Sequence, residues 1–360
     1  MSADRPLIAV TMGDPAGIGP EIIAAAWPAI LVQNQCRPIV LGRPEILRRA
    51  VSLRSVQAKV EVITSPEEAR PAPERIPCLA CGPDAACDVS PGKLDPRAGQ
   101  AAYEAVVLAA KLAMSGRVEA IVTAPLQKEA LHLAGHAFPG HTELLAELCG
   151  TKEFAMLLYL RSRKGAFGSH GLAVIHVTLH LAMREVFSHL STEAILSKAR
   201  LVHLFMAELM SNSQAGQTAI TPLQSPRPRI GVCALNPHGG EGGLFGNEEI
   251  SIIRPAVERG QAEGLCLEGP LPADTLLVLA CNGRYDAIVA MYHDQGHIPI
   301  KLLGMYQAVN VTLGLPIIRT SVSHGTAFDI AWSGSARPDS LVEAVSLAAR
   351  LAVIRRSRKT

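Results

Sequence analysis

Short aliphatic runs alternate with longer amphipathic stretches along the whole chain. "LIAVTM" (7–12) is followed by "PEIIAAAWPAIL" (20–31) and then by "PIVLG" (38–42). The same beat returns in "QAAYEAVVLAAKLAMSG" (100–116) with "EAIVTAP" (119–125), and in "EFAMLLYL" (153–160) with "GLAVIHVTLH" (171–180). Compact aliphatic runs read as buried strands, whereas apolar residues at three- and four-residue steps read as helices. The stretch "STEAILSKARLVHLFMAELM" (191–210) therefore predicts a helix opened by a Ser-Thr cap. "RIGVCAL" (229–235), "DAIVAMY" (286–292) and "AVNVTLGLPIIRT" (308–320) read as strands, and "DSLVEAVSLAARLAVI" (339–354) as a closing helix. This alternation predicts an α/β protein with a largely parallel or mixed sheet. "PEEARPAPERIP" (66–77), "RSRKGAFGSHG" (161–171) and "SNSQAGQTAITPLQSPRPR" (211–229) carry neither period and read as connections.

Composition narrows the function classes. A chain of 360 residues has room for two domains, and 48% hydrophobic with 18% charged residues is a globular balance. Aromatics at 4% leave little for a base-stacking platform, and a net charge of +2 argues against a nucleic-acid partner. No run approaches the roughly 18 apolar residues of a membrane span, and no signal peptide is visible, so a cytoplasmic location is expected. The eight cysteines are scattered, several inside apolar runs such as those of Cys233 and Cys281, which suits reduced thiols. Cys78, Cys81 and Cys87 of "CLACGPDAACD" include one C-x-x-C but no second pair at zinc spacing.

Five stretches carry chemistry. "AVTMGDPAGIGPEI" (9–22) turns from a strand into a helix through Gly13, Gly17 and Gly19, with Pro20 and Glu21 suited to the first helical turn. Its spacing is not G-x-G-x-x-G, so the dinucleotide fingerprint fails. "TAPLQKEALHLAGHAFPGHTELLAEL" (123–148) places Lys128, His132, His136 and His141 after a strand, and His141-Thr142 at a helix start suits an anionic or hydroxyl-bearing substrate. His180, His238 and His293 each follow an aliphatic run, 58 and 55 residues apart. Three neutral imidazoles make a metal site with open positions, provided that the fold assembles them. Lys301, Asn310 and Arg319 recur at nine-residue intervals and supply charge for a phosphate or carboxylate. "SVSHGTAFDIA" (321–331) offers hydrogen bonds suited to an adenine ring or a phosphate.

Taken in order, "TMGDPAGIGPE", "LNPHGGEGG", "GPLPADT", "YHDQGHIPIK" and "NVTLGLPIIRTSV" resemble the 4-hydroxythreonine-4-phosphate dehydrogenase family of vitamin B6 biosynthesis over nearly the whole chain. The resemblance implies two α/β domains around a central cleft, in the manner of isocitrate and isopropylmalate dehydrogenases and not a Rossmann domain. The expected first domain is 1–125 with 305–360; the expected second, with the metal ligands and dimer contacts, is 126–304. The implied metal ligands are His180, His238 and His293. The implied substrate contacts are His141, Thr142, Lys301, Asn310 and Arg319. Asp274 and Asp294 match family aspartates and are candidates for catalysis, and His324, Gly325 and Thr326 fall in the nicotinamide-cofactor region. Sites shared across a homodimer are implied as well.

The implied reaction is NAD- or NADP-dependent oxidation of 4-phosphohydroxy-L-threonine with a divalent metal (zinc first, magnesium or cobalt as alternatives). The 2-amino-3-oxo-4-phosphohydroxybutanoate formed would lose its carboxylate to give 3-amino-2-oxopropyl phosphate. Relatives acting on threonate or erythronate 4-phosphate, or on aromatic cis-dihydrodiols, are the alternatives; a zinc hydrolase or lyase is a remote one. Ser323 and Trp332 depart from the family's usual "SVDHGTA" and "DIAGKG" and bear on the cofactor region.

Overall fold

The structure, a computed structural model, describes residues 5–163, 166–211 and 227–358. The chain divides into two units, Met1–Phe154 with Gly314–Thr360, and Ala155–Leu313.

The first unit begins with β1 (Leu7–Thr11), α1 (Gly19–Gln33), β2 (Arg37–Gly42) and α2 (Pro44–Leu53). It continues with β3 (Lys59–Ile63), β4 (Arg75–Ala80), α3 (Pro96–Met114), β5 (Ala120–Thr123), α4 (Lys128–Leu133) and α5 (His141–Leu148). The chain returns to it for β12 (Ile318–Val322) and α11 (Asp339–Ser357). Its strands run in the order β3-β4-β2-β1-β5-β12, and every pair is parallel. β1, β5 and β12 are buried along their whole length, as a parallel sheet covered on both faces requires. α1 carries the buried Trp27, whose indole donates to the carbonyl of Ala72 at 3.0 Å.

The second unit contains β6 (Ala155–Leu160), β7 (Leu172–His176), α6 (Met183–His189), α7 (Thr192–Ser211), β8 (Arg229–Cys233) and α8 (Arg254–Ala262). It closes with β9 (Cys266–Leu271), α9 (Ala273–Cys281), β10 (Ala287–Ala290), α10 (His293–Gly304) and β11 (Val309–Leu313). Its order is β11-β6-β7-β10-β8-β9, with β6 antiparallel to both neighbours and the other pairs parallel. The mixed sheet expected from the alternation is realised here.

Three expectations change. Residues 126–154 fall in the first unit, because Leu144, Leu145 and Ala146 of α5 share a buried cluster with Leu7 and Ala9 of β1, Ile39 of β2 and Val106 of α3. Residues 305–313 correspondingly belong to the second. The apparent single strand "AVNVTLGLPIIRT" is two: Gly314, at φ +88°, ends β11, and β12 starts only after Pro316. The connection read at 66–77 already contains the start of β4, which pairs with both β2 and β3. Most of the connection read at 211–229 lies outside the described residues.

Helices α3 and α4 touch through backbone. A Cβ on Gly99 would sit 2.0 Å from the carbonyl oxygen of Ala130, a group that cannot swing away. Gly99→Ala should therefore lower the thermal midpoint, with a loss at or above the upper end of the ~1–3 kcal/mol typical of overpacking. A variant as stable as wild type would contradict this close approach.

Candidate active site

In the first unit, strand order reverses at β1: β2 lies to one side and β5 to the other. Ligands of open α/β sheets bind beyond the carboxyl ends of strands at such a switch point. Those ends are in register here, Thr11 opposite Thr123 and Thr123 opposite Ser321. Arg319 of β12 is 2% exposed, and Nη2 and Nε donate to the hydroxyl of Thr123 at 2.7 and 3.2 Å. Burial pulls its pKa down to about 9, against the opposing pull of Glu143. His141, the first residue of α5, is held neutral by burial and by the charge of Arg319, and its buried Nε2 has no hydrogen-bond partner. A buried cation beside a neutral imidazole with an unused nitrogen suits an anion carrying a hydroxyl.

The loop after β12 packs on the turn after β1. Ile18 donates its amide to the carbonyl of Thr326 at 3.0 Å, and a Cβ on Gly17 would lie 2.9 Å from the Thr326 side chain. His324 Nδ1 meets the carbonyl of Gly325 at 3.0 Å, and no atom lies within 4 Å of where a Gly325 Cβ would stand. Trp332, one of the two departures, braces this region: its indole donates to the carbonyl of Pro15 at 2.9 Å and its amide to Glu21 at 3.2 Å. Arg49 stacks over the ring at 4.8 Å.

The second unit gathers histidines. β10 ends at Ala290, and α10 starts with His293 itself. His293 Nδ1 lies 2.7 Å from Asp294 Oδ1 and donates to it, which leaves the Nε2 lone pair outward. The ring of His180, in the loop after β7, is centred 6.0 Å from that of His293. His238 occupies a left-handed turn, with φ between 44° and 76° from His238 to Gly242. Only a glycine-rich run such as "HGGEGG" holds that conformation at low strain. Glu249 anchors the turn by accepting the amides of Leu235 and Asn236 at 2.8 and 2.7 Å. Burial pushes this carboxyl up, but the hydrogen bonds from Asn236, Leu235 and its own backbone together outweigh it and hold the pKa below the usual range. The His238 ring faces Phe245, 6.3 Å away. Among the described residues, no three His, Cys, Asp or Glu side chains form a metal-holding group. Lys301 is exposed on α10, and Asn310 on β11 has a buried side-chain oxygen with no partner. Asp274 is exposed at the start of α9 and accepts the amide of its neighbour Thr275 at 2.7 Å.

Residues 34–348 match the model of the family described as pyridoxal phosphate biosynthetic protein PdxA. The chain is 44% identical over 347 residues to a D-threonate 4-phosphate dehydrogenase of Pectobacterium atrosepticum, covering 96% of this chain and 99% of that one. It is 43% identical over 358 residues to a 4-hydroxythreonine-4-phosphate dehydrogenase of Trichlorobacter lovleyi, covering 99% and 100%. The crystal structure of the 4-hydroxythreonine-4-phosphate dehydrogenase of Klebsiella pneumoniae superposes with a TM-score of 0.81 at 44% identity, over 96% of this chain and 99% of that one.

The chain belongs to the PdxA family. It is an oxidoreductase of the dehydrogenase type with the α/β fold of that family.

Against that membership, the structure sorts the expected residues of this PdxA relative. His141, Thr142, Arg319 and His324–Thr326 stand on the first unit, with His141 and Arg319 interacting. His180, His238, His293, Asp294, Asp274, Lys301 and Asn310 stand on the second, with His180 near His293 and Asp294 bonded to it. Sequence reasoning gave no role to Asp14, Glu249, His176 or His297. His297 had a signal, four residues beyond His293 on one helix face.

Asp14 lies wholly buried in the turn after β1. Its Oδ1 accepts the amide of Ala16 at 2.8 Å, while Oδ2 has no partner. Burial pushes its pKa up to about 6, with Asp95 adding to the shift and the amides of Ala16, Gly17 and Gln127 opposing it. The folded state thus holds this proton more tightly than the unfolded chain. The stability it lends is full below about pH 4 and lost as pH rises through about 6, roughly 3 kcal/mol in all. Asp14→Asn should flatten stability between pH 4 and 6 and raise the thermal midpoint at pH 7.5. A variant that keeps the wild-type slope would show that Asp14 does not set it.

Proposed function

We propose that this chain uses a nicotinamide cofactor and a divalent metal to oxidise the secondary hydroxyl of a four-carbon hydroxy acid phosphorylated at C4. We take 4-phosphohydroxy-L-threonine as its first substrate. The observation that carries this reading is the buried Arg319 beside His141. A desolvated guanidinium favours an anionic group, and the unused His141 Nε2 favours a hydrogen bond to the substrate. In this reading Thr142, Lys301 and Asn310 complete the binding of the substrate's oxygens.

The donor set suits the metal. His293 gives its Nδ1 hydrogen to Asp294 and keeps Nε2 available, the second-sphere arrangement common among metal-bound histidines. His180 and His238 would join it. In this reading the assembly is a homodimer whose subunits share the active sites. The bound metal would stabilise negative charge on the substrate oxygen as a Lewis acid. Asp294 then orients a ligand, and as an exposed carboxylate it can also exchange a proton with water. Asp274 is the second candidate for proton transfer. His324, Gly325 and Thr326 would meet the NAD or NADP, with Gly325 leaving its backbone open to contact. A 3-oxo acid formed in this way loses its carboxylate readily, because the new carbonyl stabilises the developing carbanion.

D-threonate 4-phosphate is the second reading, favoured by the relative of that activity at 44% identity. It shares the phosphate, the carboxylate and the secondary hydroxyl, and differs in bearing a hydroxyl in place of the amine at C2.

Purified enzyme supplied with metal should form NADH, followed at 340 nm, from one of the two substrates, and a chelator should abolish the signal. Turnover of D-threonate 4-phosphate alone would replace the first reading with the second; turnover of neither would remove both. Arg319→Lys keeps the charge but loses the planar fork. It should lower kcat/KM by roughly 10–100-fold, the range set by charged hydrogen bonds. An unchanged kcat/KM would refute the role of Arg319.

A further inference from the structure

Beneath His293 lies a pair of buried imidazoles that the proposed chemistry does not use. His176, the last residue of β7, is 1% exposed, and His297 of α10 is 9% exposed. His297 Nδ1 lies 3.1 Å from His176 Nε2 and 3.3 Å from the carbonyl oxygen of His293. The His297 ring stacks on the His293 ring, centroids 3.8 Å apart and planes within 9°. Helix side chains lean toward the N-terminus, so a ring one turn on naturally covers its predecessor.

The carbonyl contact of His297 favours one tautomer, in which His176 accepts at Nε2 and carries its own hydrogen on Nδ1, a buried nitrogen with no hydrogen-bond partner. A hydrogen on Nδ1 of His297 serves both the His293 carbonyl and the His176 nitrogen as a three-centre bond. The alternative sets a lone pair against the carbonyl oxygen. Nδ1 of His297 is therefore occupied within the protein, directed at the backbone of His293 and at β7. The spacing of His293 and His297 is that of a metal-binding pair on a helix, but stacked parallel rings set their nitrogens side by side instead of converging. Gly296 makes the arrangement possible: a Cβ there would stand 2.3 Å from His176 Nε2 and 2.8 Å from Val174 Cγ1. The missing side chain lets α10 approach β7 closely enough for the imidazoles to meet.

We propose that His176 and His297 are positioning residues for His293: the buried pair fixes the first turn of α10, and the stacked His297 ring sets the tilt at which His293 presents Nε2 to a divalent metal. This rests on the reading of His293 as a metal ligand. Asp294 restrains the same ring from the outside through Nδ1, so the ring is held between a carboxylate and a stacked imidazole.

The test is zinc affinity of the full chain, measured by competition with a chromogenic chelator, with thermal midpoints recorded for each variant. His297→Leu should weaken zinc binding by about 10–100-fold, the range for lost second-sphere partners. His297→Asn, whose amide nitrogen falls where Nδ1 does but which has no ring to stack, should recover only part of the loss. Gly296→Ala, which leaves every imidazole in place, should weaken binding by displacing His176. The double variant His176→Leu with His297→Leu removes both polar partners together, so it should stay folded and bind zinc as weakly as His297→Leu. Wild-type affinity in a folded double variant would overturn the proposal. So would equal losses in His297→Leu and His297→Asn, which would leave the bonds of Nδ1 to His176 and to the His293 carbonyl without a role. His293→Ala is the separate control: undiminished zinc binding there would refute the metal role of His293, whatever the other variants do.

Discussion

The first unit is organised around a charge taken out of water. Arg319 is the second residue of β12, after Ile317 and Ile318, with almost none of its surface exposed. Such a guanidinium is tolerable only if its hydrogens are used and its geometry is fixed. Thr123, on the adjacent strand β5, accepts two of those hydrogens, and Ser321 ties the same strand by donating to the Thr123 carbonyl at 3.0 Å. The parallel register of β5 with β12 is thus also what points the cation at the carboxyl edge of the sheet. His141 is kept neutral first by its own burial and then by the proximity of that cation, so the buried charge reinforces the protonation state that desolvation sets.

Backbone conformation does similar work in the second unit. Five consecutive left-handed residues carry His238, and a buried carboxylate, Glu249, gathers the amides that lead into the turn. A Cβ at Gly240 would stand 2.6 Å from Glu249 Oε2, so the glycines permit both the backbone path and the approach of its anchor. Around His293 the restraints are side chains, Asp294 on one ring nitrogen and His297 on the ring face.

Trp332 shows how a departure from a family pattern acquires a physical meaning. Where the pattern has glycine, this chain has a bulky aromatic at φ +61°, a strained conformation for it. Bonds to Pro15 and Glu21 and the stacked Arg49 offset the strain, and they join the loop after β12 to the turn after β1. The residue thus acts as a brace between two loops of the first unit.

Much of the fold was legible because periodicity is local. The runs at β1, β5, β7 and β10 are mostly aliphatic and buried throughout, and the long helices α3, α7 and α11 follow from three- and four-residue spacing. The family was legible too, since its motifs are contiguous and the chain carries them in order. The start of β4 was not legible, because it follows a proline-rich connection and contains Pro77, and only pairing with β2 and β3 makes it a strand. Nor could the chain announce that Asp14 would be wholly buried, or that His176 and His297, 121 residues apart, would share a hydrogen. The residue types of the site were fixed by the sequence, because chemistry resides in side chains. Their protonation and tautomers depend on desolvation and on neighbours from distant segments, and only the tertiary structure decides those.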